Sequence, residues 1–274
     1  MNDFAARFGP WAVVTGASSG IGEAFARQLA AKGIHLVLVA RREDRLKELA
    51  DELQGRHAVR TRIVPVDLAA NDFLPVIAGA THDLDIGLLV NNAGVLRAGQ
   101  FLDHDLHDEL NQLNLNTRAV LVLAHHFGQR LRERRRGGII FLASTVAFAG
   151  VPGMSAYAAS KAYALSFAEG FAREVAGDGI AVLALCPGPT RTDIWPAGAT
   201  PTLPMRPEAV AEVALRKLGR RTTVVAGILN RLITLSTRFA PRWANSLIFG
   251  KVVGGMFKNV PAVGSLPAVR GEAK

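Results

Sequence analysis

The chain has 274 residues, 49% hydrophobic and 20% charged, with a formal net charge of +9, which is enough apolar material for one large α/β domain with a buried core. Its single cysteine, Cys186, excludes an intramolecular disulfide and points to a reducing, cytoplasmic setting. No signal-peptide run opens the chain, no stretch reaches about 18 uninterrupted apolar residues, and the basic balance favours an anionic partner (nucleic acid, anionic lipid or a phosphorylated cofactor) without choosing among them.

Pro10 to Thr15 is a short apolar run ending in Thr15-Gly16-Ala17-Ser18-Ser19-Gly20-Ile21-Gly22; a helical pattern follows from Ile21 to about Lys32, and Gly33 stops it. His35 to Ala40 predicts a second buried strand. Glu43 to Leu53 predicts a helix with Leu46, Leu49, Ala50 and Leu53 on one face. Arg62 to Val66 predicts a third strand, ending at Asp67, and Ile86 to Val90 a fourth, running into Asn91-Asn92-Ala93-Gly94. A long helix spans about Leu106 to Arg132, a fifth strand Gly138 to Ala143, a second long helix Ser155 to Val175, and a sixth strand Ile180 to Leu185, closed by Cys186-Pro187-Gly188-Pro189. The strands are continuous apolar runs, as expected when both sheet faces are covered. The alternation therefore predicts an α/β chain: a Rossmann-type doubly wound parallel sheet with helices on both faces, in one domain.

Thr190 to Pro207 holds four prolines and no clear period, so it reads as a long loop of the kind that forms lids. Glu208 to Leu218 predicts a helix and Thr222 to Ala226 a last strand. The dinucleotide-binding catalytic domain is thus expected over 1–228 and a C-terminal helical extension with a mobile tail over 229–274. From Leu229 to about Lys258 the apolar positions are interleaved with Arg231, Arg238, Arg242, Lys251 and Lys258. That pattern suits an amphipathic helix, or two broken at Pro241. It is expected to pack on the core, wall the substrate pocket or meet another subunit, with a peripheral membrane contact as the alternative. The Pro/Gly-rich tail from Asn259 is expected to be mobile.

Three features carry chemistry. The glycine-rich turn lies between a strand and a helix, where backbone N–H groups can approach a pyrophosphate. At the end of the second strand, where an acid would hold the ribose 2′-hydroxyl of NAD, the chain reads Ala40-Arg41-Arg42. Guanidinium groups there would accept a 2′-phosphate and favour NADP(H), Arg41 being the better placed. Tyr157 and Lys161 are four residues apart, on one helix face. A lysine ammonium beside a phenol is expected to lower the phenol's pKa and prepare it for proton exchange near neutral pH.

These motifs, in this order, resemble the short-chain dehydrogenases/reductases. Thr15-Gly16-x-x-x-Gly20-x-Gly22, Asn91-Asn92-Ala93-Gly94, Asn116, Ser144, Tyr157-x-x-x-Lys161 and Pro187-Gly188 with Thr192 stand at the family's spacing over about Trp11 to Thr192. The resemblance implies a carbonyl/secondary-alcohol oxidoreductase. Tyr157 would be acid or base, Ser144 would polarise the substrate oxygen, Lys161 would tune Tyr157 and hold the nicotinamide ribose, and Asn116 would help hold a relay water. The cofactor would be bound by Gly16, Ser18, Ser19, Gly20, Ile21, Gly22, Arg41, Arg42, Asp67, Leu68, Asn92, Ala93, Gly94, Tyr157, Lys161, Pro187, Gly188, Thr190 and Thr192. Homo-oligomerisation, as a dimer or tetramer, would run through the helices holding Asn116 and Tyr157. The run around Arg41 is similar to the branch acting on lipid-like ketones, steroids included.

Other features are read as bland. His125 and His126 point to different helix faces and make no paired metal site, and no metal is expected. The basic run from Arg130 to Arg136 favours a helix C-terminus; with no aromatics between its charges, it is not expected to bind nucleic acid. Cys186 reads as an inert core thiol. The competing functional class is a non-enzymatic NADP-binding regulator or scaffold on the same fold, which would be expected to lack one of the four catalytic residues.

Overall fold

The computed structural model describes residues 3–257; Lys258 and the tail expected to be mobile lie outside the described residues. In chain order, α1 (Asp3–Phe8) precedes β1 (Trp11–Thr15), α2 (Gly20–Ala30), β2 (His35–Ala40), α3 (Glu43–Arg56), β3 (Thr61–Pro65), α4 (Phe73–Thr81) and β4 (Ile86–Asn91). Then come α5 (Leu106–Leu113), α6 (Ala119–Arg134), β5 (Gly137–Leu142), α7 (Ser155–Glu174), β6 (Ile180–Cys186), α8 (Pro207–Lys217), β7 (Thr223–Val225), α9 (Ile228–Ser236) and α10 (Arg242–Met256).

The seven strands form one parallel sheet in the order β3-β2-β1-β4-β5-β6-β7. Successive strand residues point to opposite faces, and both faces are apolar. Ala12, Val14, Leu36 and Leu38 pack with Phe25, Leu29, Leu46 and Val210 on one side. Val13, Val37 and Val39 pack with Phe73, Leu123, Phe127 and Ala168 on the other. Burial of each such large side chain stabilises the fold by roughly 1.5–3 kcal/mol, which is why continuous apolar runs make central strands here. The chain winds outward from β1 to β3, then returns to the other side of β1 as β4. The strand order therefore reverses at the β1/β4 boundary, where such sheets open a crevice.

Three elements differ from the sequence reading. The helix expected over Leu106–Arg132 is interrupted by one π-helical turn, Asn114–Arg118. The short α1 has no period long enough to show. In α4, Pro75 and Gly79 conceal a helix that buries Phe73, Ile77 and Thr81 on one face; a proline in the first turn is tolerated because that N–H has no helical partner. The C-terminal segment forms two helices, and Pro241 caps the second. Among the described residues no helix is long and apolar enough to cross a membrane.

Candidate active site

The C-terminal ends of β1 to β6 open into one cavity of about 830 Å³. Its floor at the switch point is the glycine turn. Gly16 has φ +66°, and a Cβ there would lie 2.8 Å from Asn92 Nδ2. A Cβ on Gly22 would lie 2.1 Å from the Gly16 carbonyl oxygen, so α2 can approach the turn only without a side chain at that position. Ser19, at the N-cap of α2, makes no side-chain capping bond, and Ser18, Ser19, Gly20 and Ile21 line the cavity. The unpaired N–H groups of a first helical turn at such a place suit a phosphate. Thr15 Oγ1 accepts hydrogen bonds from the Asn92 and Ala93 N–H groups, both at 2.9 Å, and Asn92 Nδ2 donates to Thr15 O at 2.8 Å. The Asn91–Gly94 segment is thereby strapped beside the turn. Asn91 Nδ2 donates to Val120 O at 2.9 Å and fixes the strand end to α6.

Arg41 and Arg42 line the cavity beyond β2. Arg42 donates to Ser18 Oγ at 3.1 Å and stands 3.7 Å from Asp193, so it braces the glycine turn. Asp67 and Leu68 line the wall beyond β3, where the Asp67 carboxylate accepts from Ala69 N–H at 3.0 Å. Pro187, Gly188, Thr190 and Thr192 line it beyond β6, and Trp195 Nε1 donates to Thr190 O at 2.7 Å. Nineteen of the twenty-one residues singled out from the sequence, counting each once, meet at this cavity's wall. The other two stand behind it. Gly22 supports the turn; Asn116 is buried in the π-helical turn and clamps Val95, with Oδ1 accepting from Val95 N–H at 3.0 Å and Nδ2 donating to Val95 O at 2.9 Å. Together these groups fit a dinucleotide: a side-chain-free cradle, uncapped helical N–H groups and a pair of guanidinium groups at one end.

Ser144, Tyr157 and Lys161 are all buried. Ser144 follows β5 and hydrogen-bonds the Tyr157 phenol; Tyr157 and Lys161 come from the first turns of α7. The expected lowering of the phenol by Lys161 is overturned. Burial dominates and raises Tyr157 well above its ordinary value, with the Ser144 hydrogen bond opposing. Lys161 Nζ lies 5.7 Å from the Tyr157 ring centroid and donates instead to Leu142 O at 2.9 Å. Its own pKa is lowered by burial to about 8. Burial also pushes the Cys186 thiol up to about 12, so it stays protonated and does not compete as a nucleophile.

Sequence reasoning missed several contributors. Ser160 accepts from Asn116 Nδ2 at 3.1 Å and donates to Tyr157 O at 2.7 Å, locking the π-helical turn to α7. Its position between Tyr157 and Lys161 was the available signal. The part of the cavity beside Tyr157 is walled by Leu96, Val146, Met154, Ile194, Trp195, Phe249 and Val253. The charged lining residues, Arg41, Arg42, Asp67, Asp193 and Lys161, are not in that wall. Its residues come from five separate stretches, so no local motif announces it.

The short chain dehydrogenase family model matches residues 10–200. The 7beta-hydroxysteroid dehydrogenase of Clostridium sardiniense is 34% identical over 237 residues, 84% of this chain and 90% of that protein. A structure solved for the stereoselectivity of a 7beta-hydroxysteroid dehydrogenase superposes with TM-score 0.85 at 26% identity, over 90% of this chain and 99% of the other. A short-chain dehydrogenase from Sphingobium yanoikuyae in complex with NADPH superposes with TM-score 0.75 at 31% identity, over 96% of this chain and 100% of the other. Fold, motif order and sequence agree, and the chain belongs to the short chain dehydrogenase family.

Proposed function

We propose that the protein is an NADP(H)-dependent oxidoreductase interconverting a bulky, apolar, steroid-like ketone and its secondary alcohol. One observation carries this reading: the buried Tyr157 phenol, hydrogen-bonded to Ser144, lines the same cavity as the glycine turn and the apolar wall of Leu96, Met154 and Phe249. Bound in the cradle, the reduced nicotinamide supplies the hydride that the carbonyl carbon accepts. The chain's own groups do the rest. The apolar wall excludes water and orients the ketone. Ser144 Oγ donates a hydrogen bond to the carbonyl oxygen and stabilises the charge developing there. Tyr157 Oη gives that oxygen its proton, forming the alcohol, and takes the proton back in oxidation. Lys161, held by Leu142 O, is placed at the cavity wall to hold the ribose. Asn116 holds Val95 and, through it, the wall beside the catalytic pair; its relay role is part of the same reading.

Choice of NADP(H) is supported by Arg41 and Arg42 where an acid would select NAD, and by the NADPH bound to the Sphingobium relative. The steroid-like substrate is supported by the charge-free wall and by the activity of the clostridial relative. Initial rates with NADPH and NADH, side by side over ketones graded by size and polarity, test the reading. NADPH-dependent turnover of bulky apolar ketones is expected, and Arg41→Ala weakens NADPH far more than NADH. Turnover confined to small polyols, or equal loss of both cofactors, contradicts it; NADPH binding with no turnover across the panel favours the non-enzymatic scaffold.

Assembly belongs to the same proposal. Tyr163, Phe167 and Phe171 stack along α7 at centroid distances of 5.9 and 5.6 Å, beside a shallow groove lined by Ala159 and Ala162. Small and aromatic side chains on one helix face suit helix-to-helix packing between copies. Light scattering at micromolar concentration is expected to give a dimer or tetramer, and a monomer contradicts this.

A further inference from the structure

The two C-terminal helices have unlike inner and outer sides. Inward, Val253 is buried in the cluster around Leu96, Met154 and Tyr157, and Phe249 packs against it. Outward, Leu232, Leu235, Phe239, Trp243, Leu247 and Ile248 are exposed, Phe239 by 84% and Trp243 by 69%. On α9 and the turn after it, Ile228, Leu232, Leu235 and Phe239 recur at spacings of four, three and four, which is one helical stripe. A contiguous exposed apolar surface of this kind marks an interaction site. The cations Arg231, Arg238, Arg242 and Lys251 are exposed among these residues. No aspartate or glutamate occurs in the sequence between Glu212 and Glu272. The patch is also continuous with the cavity: Leu203, Ile228, Leu229, Ile233 and Val252 line it and are at the same time exposed. They form its rim.

We propose that α9 and α10 dock this rim on an anionic lipid surface, so that the cavity opens toward the bilayer. Apolar side chains with interfacial aromatics and interleaved cations are the composition of a segment lying in a membrane interface. A second copy of the chain fits worse. A two-fold contact places the same patch on itself, setting four cations against four with no carboxylate between them, whereas anionic headgroups neutralise the same charges. Each cation near such a surface contributes roughly fivefold in affinity. The substrate consequence, entry of a lipophilic ketone from the bilayer, rests on the function proposed above; the docking itself does not.

The test is sedimentation of the full chain with vesicles of phosphatidylcholine alone and with roughly 30% phosphatidylglycerol added. Binding to the anionic vesicles is expected, falling as salt shortens the electrostatic range, with a blue shift in tryptophan fluorescence. The double variant Arg238→Gln/Arg242→Gln binds roughly 30-fold more weakly. Phe239→Ser/Trp243→Ser loses binding and the blue shift while keeping its rate on a water-soluble ketone, since neither residue lines the cavity. No sedimentation with anionic vesicles at low salt overturns the proposal. So does a dimer that Phe239→Ser/Trp243→Ser converts to monomer without vesicle binding, which assigns the patch to a second copy. Vesicle binding is read without turnover, so an inactive enzyme leaves the docking test intact, and an active enzyme that ignores vesicles leaves the activity intact.

Discussion

Burial moves Tyr157 and Lys161 in opposite directions: the phenol is raised, and the ammonium is lowered to about 8. The raised phenol keeps its proton through the physiological range, so on the proposed reading it would meet a ketone as a loaded donor. The lowered ammonium loses its charge as pH rises through about 8. On the proposed reading, Lys161 below that pH is cationic and would hold the nicotinamide ribose in place for hydride transfer; above it, that hold weakens. The kcat/KM for ketone reduction should therefore be level on the acid side and fall above pH about 8, by roughly tenfold per unit. A pH–rate profile that stays level through the unperturbed lysine range, to about pH 10, contradicts this. The four-residue spacing showed that these side chains share a face. It could not show how deep that face lies, nor that Lys161 Nζ would reach Leu142 O, because a backbone carbonyl at the end of a strand leaves no mark in a tetrapeptide.

At the scale of elements, the turn between β1 and α2 depends on absent side chains. Gly22→Ala would put a methyl group 2.1 Å from the Gly16 carbonyl oxygen and 2.6 Å from Asn92 Nδ2. The turn must shift, and with it the N–H groups aimed at the cofactor. NADPH affinity should fall at least tenfold, about 1.4 kcal/mol, in a fluorescence titration of protein that still melts cooperatively. Unchanged affinity contradicts the role given to this turn. The glycine turn and the six main strands were legible because their patterns are local: an apolar run buried on both faces, then glycines at fixed offsets. The π-helical turn was not, because one extra residue in a helix leaves the apolar period nearly intact while it turns Asn116 toward Val95 and Ser160. In α9 and α10 the mixed three- and four-residue spacings located apolar helices. That Val253 and Phe249 of α10 turn inward was decided by packing on Leu96 and Met154, residues more than ninety positions away.

The cavity wall draws on segments after all seven strands and on both C-terminal helices, so one bound cofactor would tie the whole molecule together. A ligand that binds only the native state at about 100 times its Kd stabilises by about 2.7 kcal/mol. For a chain of this size the melting temperature should then rise by roughly 5–10 °C. Differential scanning fluorimetry should show this rise with NADPH and a smaller one with NADH at equal concentration. An equal rise contradicts the 2′-phosphate reading of Arg41 and Arg42.

The central claim is that Tyr157 delivers the proton to the carbonyl of an apolar ketone. The most direct measurement pairs NADPH oxidation on a bulky apolar ketone with NADPH affinity, in the wild-type chain and in Tyr157→Phe. The predicted result is a rate lowered by roughly 10²–10⁴-fold with NADPH affinity nearly unchanged, because only the phenolic hydroxyl is removed from a buried ring. A variant that turns over at the wild-type rate, or one that loses NADPH binding along with turnover, contradicts the claim: the first removes Tyr157 from the chemistry, and the second makes it a structural support of the cofactor site.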